Sequence, residues 1–301
     1  MKAFRQRSLF TTAAAALLLF SVGCGGSDPF DDYEDPSLFG IGYAEGVFVS
    51  VGEDYSVANS TDGYNFYQQT LGPDGALQAA TFGKNTWVTC GDEGVVATST
   101  NTAVWFAQYL PTDRSLRGVD FGNNVFVIVG NAGLIYRSTN AGAWQYQNSG
   151  TIENLEDVVF GDGRFVAVGD AGVIRTSIDG IVWTPRISGT SDNLFGVGYG
   201  SGRFVAVGIN GAILTSDNGI DWERQFSPTT ESLRDATIDD GVIVIVGNGG
   251  TILSSFNGTT YFVRDSHTAH DLESVVFGKG VFVAVGRSAE IVNSYDGASW
   301  F

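Results

Sequence analysis

The sequence predicts an all-β chain folded as a single seven-bladed β-propeller, and three observations support this prediction. Glycine accounts for 41 of the 301 residues, about twice its usual share, while only 16% of the residues are charged. Short apolar and aromatic runs alternate with turn residues, without a helical period. The third observation is an internal repeat of 39 residues, which is close to the length of a four-stranded propeller blade.

The repeat runs without insertion or deletion from residue 38 onward. In every unit Val follows the first residue by eleven positions, Gly by fourteen and Ser by twenty-two. The first residues of the seven units are Leu38, Leu77, Leu116, Leu155, Leu194, Leu233 and Leu272. A solenoid is disfavoured because its terminal repeats would need polar capping faces, and the terminal units here keep the apolar pattern. We therefore expect seven equivalent blades arranged in a ring.

The fourth unit shows the four strands expected in each blade. Residues 155–160 form an apolar run, residues 164–168 an aromatic and β-branched run, residues 173–177 a third strand, and Trp183 opens a fourth. Glycine-containing turns separate these runs, and residues 188–193 make a polar link to the next unit.

The phase of the repeat predicts how the ring closes. Counting seven units of 39 residues back from Phe301 reaches Pro29, so we assign residues 29–301 to the propeller. The last unit stops where its fourth strand would begin, and residues 30–37 have the phase of that strand. We expect residues 29–37 to complete the outer edge of the seventh blade, which removes an open sheet edge. The alternative is that residues 28–36 are a solvated linker and the seventh blade has three full strands.

The first 23 residues have the pattern of a secretory signal. Lys2, Arg5 and Arg7 precede an apolar stretch at residues 9–20, and small residues lead to Cys24. This arrangement resembles a bacterial lipoprotein signal, in which the cysteine is lipidated, although Ser21 stands where Leu is usual. We expect residues 1–23 to be removed, Cys24 to carry the lipid and residues 24–28 to form a tether. No acidic residue directly follows Cys24, which favours the outer membrane; an ordinary cleaved signal is the alternative.

Charge excludes several partners. Without the three basic residues of the signal, 13 basic residues face 33 acidic ones, a net charge of −20. Such a surface repels phosphate backbones and anionic lipid, so we expect no nucleic-acid ligand and membrane contact only through the lipid anchor. Cys90 replaces a valine of the repeat, and we expect it to be buried and without a disulfide. We also expect a monomer without a cofactor or a metal.

Each unit carries a short Ser-x-Asp-Gly turn or a close variant, followed by an aromatic residue, as in Ser60-Thr61-Asp62-Gly63 with Phe66. These turns resemble the Asp-box of sialidase-like (BNR) β-propellers, with one residue fewer between Asp and the aromatic residue. The acid is replaced in four units, by Asn101, Asn140, Asn218 and Asn257. Because a catalytic carboxylate would not tolerate these replacements, we assign the turns a structural role.

The resemblance implies a fold rather than a function. Sialidases have a Phe/Tyr-Arg-Ile-Pro signature, and the most similar piece here, residues 185–188, lacks its first and last residues. The chain is also similar to the photosystem II assembly factor type of seven-bladed ring, which depends on a basic patch that this acidic sequence does not show. Every loop has the same length in all units, whereas catalytic propellers have irregular loops over the axis.

Three groups of residues are candidates for function. The first is a ring of one residue per unit, directly after the repeat leucine, expected at one mouth of the channel: Phe39, Gln78, Arg117, Glu156, Phe195, Arg234 and Glu273. Arg117 and Arg234 each precede a glutamate on the next blade, so the ring is either two ion pairs or a polar surface that receives a ligand.

The second group is the loop between the second and third strands, which lacks glycine in the first and seventh units. We interpret this region as an acidic partner surface with one aromatic side chain, against the alternative of solvated loops. It comprises Glu53, Asp54, Tyr55, Asp92, Glu93 and Arg287. The third group is His267 and His270, which lie in a loop between Asp265 and Asp271. We expect these two side chains to be solvated rather than to bind a metal ion.

These observations favour a non-catalytic propeller, anchored to the bacterial envelope, that binds or scaffolds an envelope protein. Carbohydrate binding, for example to a surface polysaccharide, is the first alternative, suggested by Tyr55, Tyr109 and Phe226, which we expect to be exposed. A glycoside hydrolase is the second alternative. Glycoside hydrolysis needs two carboxylates at a defined separation, but among 33 acidic residues some pair will always be suitable, so such a pair does not indicate an enzyme. No catalytic residue is assigned.

Overall fold

The computed structural model describes residues 36–72 and 75–301 and confirms the seven-bladed β-propeller. Seven antiparallel sheets follow one another along the chain, and in each sheet the strands are hydrogen-bonded in sequence order. The first strand of each blade lines a central channel, and the last lies at the outer rim. Six sheets have four strands, and the seventh has three within the described residues.

The strand bounds repeat with the 39-residue period. The first three blades contain β1 (Leu38–Ala44), β2 (Val47–Gly52), β3 (Ser56–Ser60), β4 (Tyr67–Thr70), β5 (Leu77–Gly83), β6 (Thr86–Gly91), β7 (Val95–Ser99), β8 (Phe106–Tyr109), β9 (Leu116–Gly122), β10 (Val125–Gly130), β11 (Leu134–Ser138) and β12 (Gln145–Asn148). The fourth and fifth contain β13 (Leu155–Gly161), β14 (Arg164–Gly169), β15 (Ile174–Ser177), β16 (Thr184–Arg186), β17 (Leu194–Gly200), β18 (Arg203–Gly208), β19 (Ile213–Ser216) and β20 (Glu223–Arg224). The sixth and seventh contain β21 (Leu233–Asp239), β22 (Val242–Gly247), β23 (Ile252–Ser255), β24 (Phe262–Arg264), β25 (Leu272–Gly278), β26 (Val281–Gly286) and β27 (Ile291–Ser294).

Short 3-10 turns join the second and third strands in six blades, and two successive residues of each turn take a left-handed conformation. Their bounds are Asp92–Gly94, Asn131–Gly133, Asp170–Gly172, Ile209–Gly211, Asn248–Gly250 and Arg287–Ala289. Within the described ranges, no helix is long and apolar enough to cross a membrane.

The core lies between adjacent blades rather than in one central mass. Phe48, Phe126, Phe165 and Phe204 from the second strands are fully buried, each packed with the repeat aromatic residue. The first strands approach closely, and a Cβ atom at Gly122 would lie 1.9 Å from the Phe160 ring of the next blade. Glycine at this position therefore lets two blades pack against each other.

Side-chain hydrogen bonds hold the Ser-x-Asp/Asn turns. In the first blade, Asp62 Oδ1 accepts hydrogen bonds from the main-chain N–H groups of Tyr64 and Asn65, and the Ser60 hydroxyl donates to the same oxygen. These bonds, above all the one from Asn65, lower the pKa of the Asp62 carboxyl. Asn140 makes equivalent main-chain contacts in the third blade. Both residue types make these contacts through the same side-chain oxygen, which supports the structural role expected of these turns.

The first and seventh blades are joined directly. The main-chain N–H of Ile41 lies 3.4 Å from the Ser274 hydroxyl, and Asn293 Nδ2 donates to the Gly63 carbonyl oxygen at 2.9 Å. Phe301 and Asn293 exchange two main-chain hydrogen bonds of 3.0 Å, which begins a fourth strand on β27. Residues 29–35 of the expected closing segment, like Cys24, lie outside the described residues. Cys90 is fully buried, as expected.

Candidate binding surface at the channel mouth

The ring predicted from the residue after each repeat leucine exists. All seven side chains line the central channel, which has a volume of about 530 Å³. They lie at the mouth beside the turns between the second and third strands, because the inner strands begin there. We call this set the mouth ring: Phe39, Gln78, Arg117, Glu156, Phe195, Arg234 and Glu273.

Two arginines of the mouth ring are held in the same way, one on the third blade and one on the sixth. Arg117 Nε donates to Asn131 Oδ1 at 3.1 Å and lies 3.8 Å from Glu156 on the next blade. Arg234 Nε donates to Asn248 Oδ1 at 2.7 Å and lies 3.6 Å from Glu273. The two ion pairs expected from the sequence are therefore present, and each includes an asparagine from the 3-10 turn.

The outer ends of these guanidinium groups are available to a ligand. In both arginines the hydrogen bond uses Nε, and the terminal nitrogens make no hydrogen bond to any of the described residues. The Arg117 side chain remains 34% exposed and that of Arg234 27%. Arg234 also lies over the Phe195 ring, 5.0 Å from its centroid, which further restricts its orientation.

Arg287 extends the mouth ring outward. Its Nε lies 3.0 Å from Glu273 and 3.4 Å from Asp271, so Glu273 is shared between Arg287 and Arg234.

Burial raises the pKa of Glu156. This effect outweighs the lowering of the pKa by the positive charges of Arg117 and, to a smaller extent, Arg234. The mouth ring is thus a balanced set of charges in partial contact with water.

Three buried aspartates lie deeper in the channel, and the repeat pattern alone did not single them out. Asp120, Asp157 and Asp235 each accept hydrogen bonds from main-chain N–H groups of their own and the next blade. Burial raises the pKa of Asp120 to about 6 and also raises the pKa of the other two. Because main-chain N–H groups already donate to these carboxyl oxygens, we assign the three aspartates a role in holding neighbouring blades together rather than in binding a ligand.

The sequence does carry a signal for two of these aspartates. Asp157 and Asp235 are the second residues after the repeat leucine in their blades. The other five blades have Gly, Ala or Ser at this position, so the two aspartates depart from a column of small residues. Strand pairing is irregular at this position in all seven blades, and in the fourth and sixth blades the carboxyl group there accepts a hydrogen bond from the neighbouring blade. An acid in a small-residue column therefore indicates a link between blades.

The expected exposure of Tyr55 is wrong. Its side chain is only 6% exposed and lies against Gly75, where an added Cβ atom would approach the ring to 2.2 Å. Gly72 and Gly75 in the following link leave room for the ring, so Tyr55 fills space that glycine leaves open. Burial raises the pKa of Tyr55 to about 12, with smaller contributions from Tyr109 and the acids Glu93 and Asp92.

The remaining residues of the predicted acidic surface divide into two groups. Glu93, the half-buried Asp92 and Tyr109, which is 61% exposed, all lie close enough to Tyr55 to raise its pKa, and Glu53 and Asp54 are exposed on the first blade. Glu53 Oε2 accepts a hydrogen bond from the Ser37 main chain at 2.9 Å. Arg287 instead contacts Glu273 and Asp271, so its contacts are with the mouth ring.

Other predicted side chains take the following positions. Phe226 is 80% exposed, as expected. His270 Nδ1 lies 2.8 Å from Glu290, and the His267 ring lies 3.4 Å from Asp265. Among residues 36–72 and 75–301, no group of three or more potential ligands is placed to hold a metal ion.

Comparison with solved structures gives several propellers of the same architecture. YCF48 from Cyanidioschyzon merolae matches with a TM-score of 0.70 and 18% identity over 87% of this chain and 96% of that chain. A structure of YCF48 bound to D1 peptide matches with a TM-score of 0.71 and 20% identity over 87% and 94% of the two chains. The computationally designed protein Ika8 matches with a TM-score of 0.63 and 13% identity, over 88% and 98%.

At these identities the likeness shows a shared fold, which confirms the expected similarity to the assembly-factor type of ring at the level of fold. No protein-family profile matches the chain. No curated protein matches it by sequence.

Proposed function

We propose that the protein is a non-catalytic binding module that receives an extended polypeptide segment at the mouth ring. One observation carries this proposal: Arg117 and Arg234 are oriented through Nε, and their terminal nitrogens, which make no hydrogen bond among residues 36–72 and 75–301, can bind carbonyl or carboxylate oxygens. Phe39 and Phe195 add apolar contacts beside them. The site needs no ordering on binding, because asparagine and glutamate partners already hold the charged groups.

The comparisons support a polypeptide ligand for this kind of ring. The structurally similar propeller YCF48 has been solved bound to D1 peptide. The present protein is strongly acidic, with a net charge of −17 over the full sequence. Long-range attraction therefore favours a partner with a basic surface, while the two arginines fix the bound segment locally.

The same proposal includes the cellular location. The sequence before the propeller supports a secreted chain that is lipidated at Cys24 and anchored at the bacterial envelope. Metabolic labelling with a radioactive fatty acid tests this: label should enter the wild-type protein and not the Cys24→Ser variant. Equal labelling of both proteins would contradict the anchor and leave the binding proposal intact.

Site-specific photo-cross-linking tests the binding proposal in cells that produce the protein. A benzophenone amino acid replaces Gln78, which lines the channel, or Thr184, which is exposed on the outer strand of the fourth blade. We expect a discrete light-dependent protein adduct from position 78 and none of the same size from position 184. Identical adducts from both positions, or none from position 78, would contradict binding at the mouth ring.

A further inference from the structure

A second concave site lies far out on the ring, between the fifth and sixth blades. Its volume is about 330 Å³, and its lining includes Arg203, Asp217, Asp221, Trp222, Gln225 and Thr259. Arg203 Nε donates to Asp217 Oδ1 at 2.9 Å and Arg203 Nη1 to the Asn257 carbonyl oxygen of the sixth blade at 2.9 Å. One wall of the groove is therefore held in place by hydrogen bonds that span both blades.

The fifth blade places a glutamine in this groove that is hydrogen-bonded within its own blade. Gln225 Nε2 donates to the Thr215 hydroxyl at 2.9 Å. At the same repeat position the fourth and sixth blades have Arg186 and Arg264, whose Nε atoms donate to the matching hydroxyl groups at 2.8 and 2.7 Å. An arginine continues beyond this hydrogen bond with two more nitrogens, whereas the glutamine ends there. Glutamine also stands at this position in the first three blades, where Gln69 and Gln108 donate to main-chain carbonyl oxygens of the next blade, so the fifth blade differs in how its glutamine is held.

The lining suits a ligand with many hydroxyl groups. Asp217 and Glu223 are exposed carboxylates, and Asp221 accepts one hydrogen bond from Asn218 at 2.9 Å. Trp222 packs against Phe204 and is half-buried, its indole N–H donates to the Gly219 carbonyl oxygen at 3.3 Å, and the exposed part of its ring lines the groove. Carboxylate acceptors beside an aromatic ring and a guanidinium donor can bind the polar and apolar faces of a pyranose.

We propose that this groove binds a neutral sugar residue. Three carboxylates and one guanidinium group line it, so a phosphorylated, sialylated or uronic sugar would be repelled. The groove is built from the start of β18, the end of β19 and the turn and outer strand that follow, and it shares no lining residue with the channel, so the proposal is independent of the polypeptide site.

Saturation-transfer NMR on the purified propeller tests the groove with the methyl glycosides of glucose, galactose, mannose and N-acetylglucosamine. We expect at least one glycoside to receive saturation from the wild-type protein. Gln225→Arg should weaken that binding at least tenfold, because the longer side chain adds a guanidinium group at a residue that lines the groove. An Arg117→Lys/Arg234→Lys variant should bind the sugar as the wild type does.

Gln108→Arg is the matched control. It makes the same substitution at the same repeat position of the second blade, where Thr98 takes the place of Thr215. This variant should keep the wild-type affinity. Asp221→Ala, at an exposed position, is a second test that does not add volume, and it should weaken binding several-fold. The proposal is overturned if no glycoside receives saturation, or if Gln225→Arg and Asp221→Ala both bind like the wild type.

Discussion

Asp157 Oδ2 accepts a hydrogen bond of 2.9 Å from the main-chain N–H of Val197, across the boundary between the fourth and fifth blades. Asp235 makes the same link from the sixth blade to Val275 of the seventh, also at 2.9 Å. Strand pairing is irregular at the start of β17 and β25, just before these N–H groups, and the aspartates of the preceding blades satisfy them. Side chains in the channel therefore join neighbouring blades that share no continuous sheet.

Asp157→Ala should lower the free energy of unfolding by roughly 2–3 kcal/mol, because it leaves the buried N–H groups of Val158 and Val197 without an acceptor. Asp157→Ser should lose less, since Ser274 contacts the Ile41 N–H from the same repeat position. Urea unfolding followed by tryptophan fluorescence measures both. The exposed Asp113→Ala is the control, and an equal loss for Asp113→Ala and Asp157→Ala would contradict the link.

The buried aspartates should make the protein more stable at mildly acidic pH. Burial raises the folded-state pKa of Asp120 to about 6, above that of the unfolded chain, so the folded protein binds this proton more tightly. The resulting stability is fully present below the unfolded pKa and is lost as pH rises through about 6. Unfolding free energies at pH 5 and pH 7.5 should differ by roughly 1–2 kcal/mol from this group.

Asp120→Asn isolates that contribution, because it removes the titrating group while keeping the shape of the side chain. The difference in stability between the two pH values should be smaller in this variant than in the wild type. An unchanged difference would show that other groups cause the pH dependence.

Gly122→Ala should destabilise the boundary between the third and fourth blades by roughly 1–3 kcal/mol, since the added methyl group overlaps the Phe160 ring. The matched control is Gly142→Ala, where the added methyl group has no atom closer than 3.8 Å. Thermal unfolding of both variants tests the packing. Equal melting temperatures for the two variants would show that the aromatic ring moves aside at little cost.

The seventh blade has three strands within the described residues, and we expect the segment before Leu38 to supply the rest of its outer strand. Phe301 pairs with Asn293, and the 39-residue period then assigns Phe30 to the position opposite Ile291. Deleting residues 28–35 should lower the melting temperature by several degrees, because we expect this segment to pair with β27. Deleting Gly25 to Ser27 shortens the same region and should have no effect. Equal melting temperatures for the two deletions would support the solvated-linker alternative.

Most of the fold could be predicted because the repeat is regular. A fixed period with a leucine, a glycine and a serine in phase determines where each strand begins and turns, and the observed strands begin within a residue or two of the predicted places. The mouth ring followed for the same reason, since one repeat position maps to one place around the channel.

The local departures from the repeat were harder to predict, because they depend on neighbouring blades. Tyr55 is buried owing to Gly72 and Gly75, which lie further along the chain in the link to the second blade. Asp157 is satisfied by Val197 of the next blade, and the wall of the groove near Gln225 depends on the hydrogen bond from Arg203 to Asn257 of the sixth blade. Each of these outcomes requires the distance between two blades, which the spacing within one blade does not contain.

Binding of a polypeptide at the mouth ring is tested most directly by the affinity of the partner that cross-links at position 78 for purified variants of the ring. Arg117→Lys/Arg234→Lys keeps both charges but removes the planar fork of each guanidinium group, and we expect at least tenfold weaker binding. Arg224→Lys, on the outer strand β20, should bind like the wild type. Equal affinities of all three proteins would contradict binding of a polypeptide by Arg117 and Arg234.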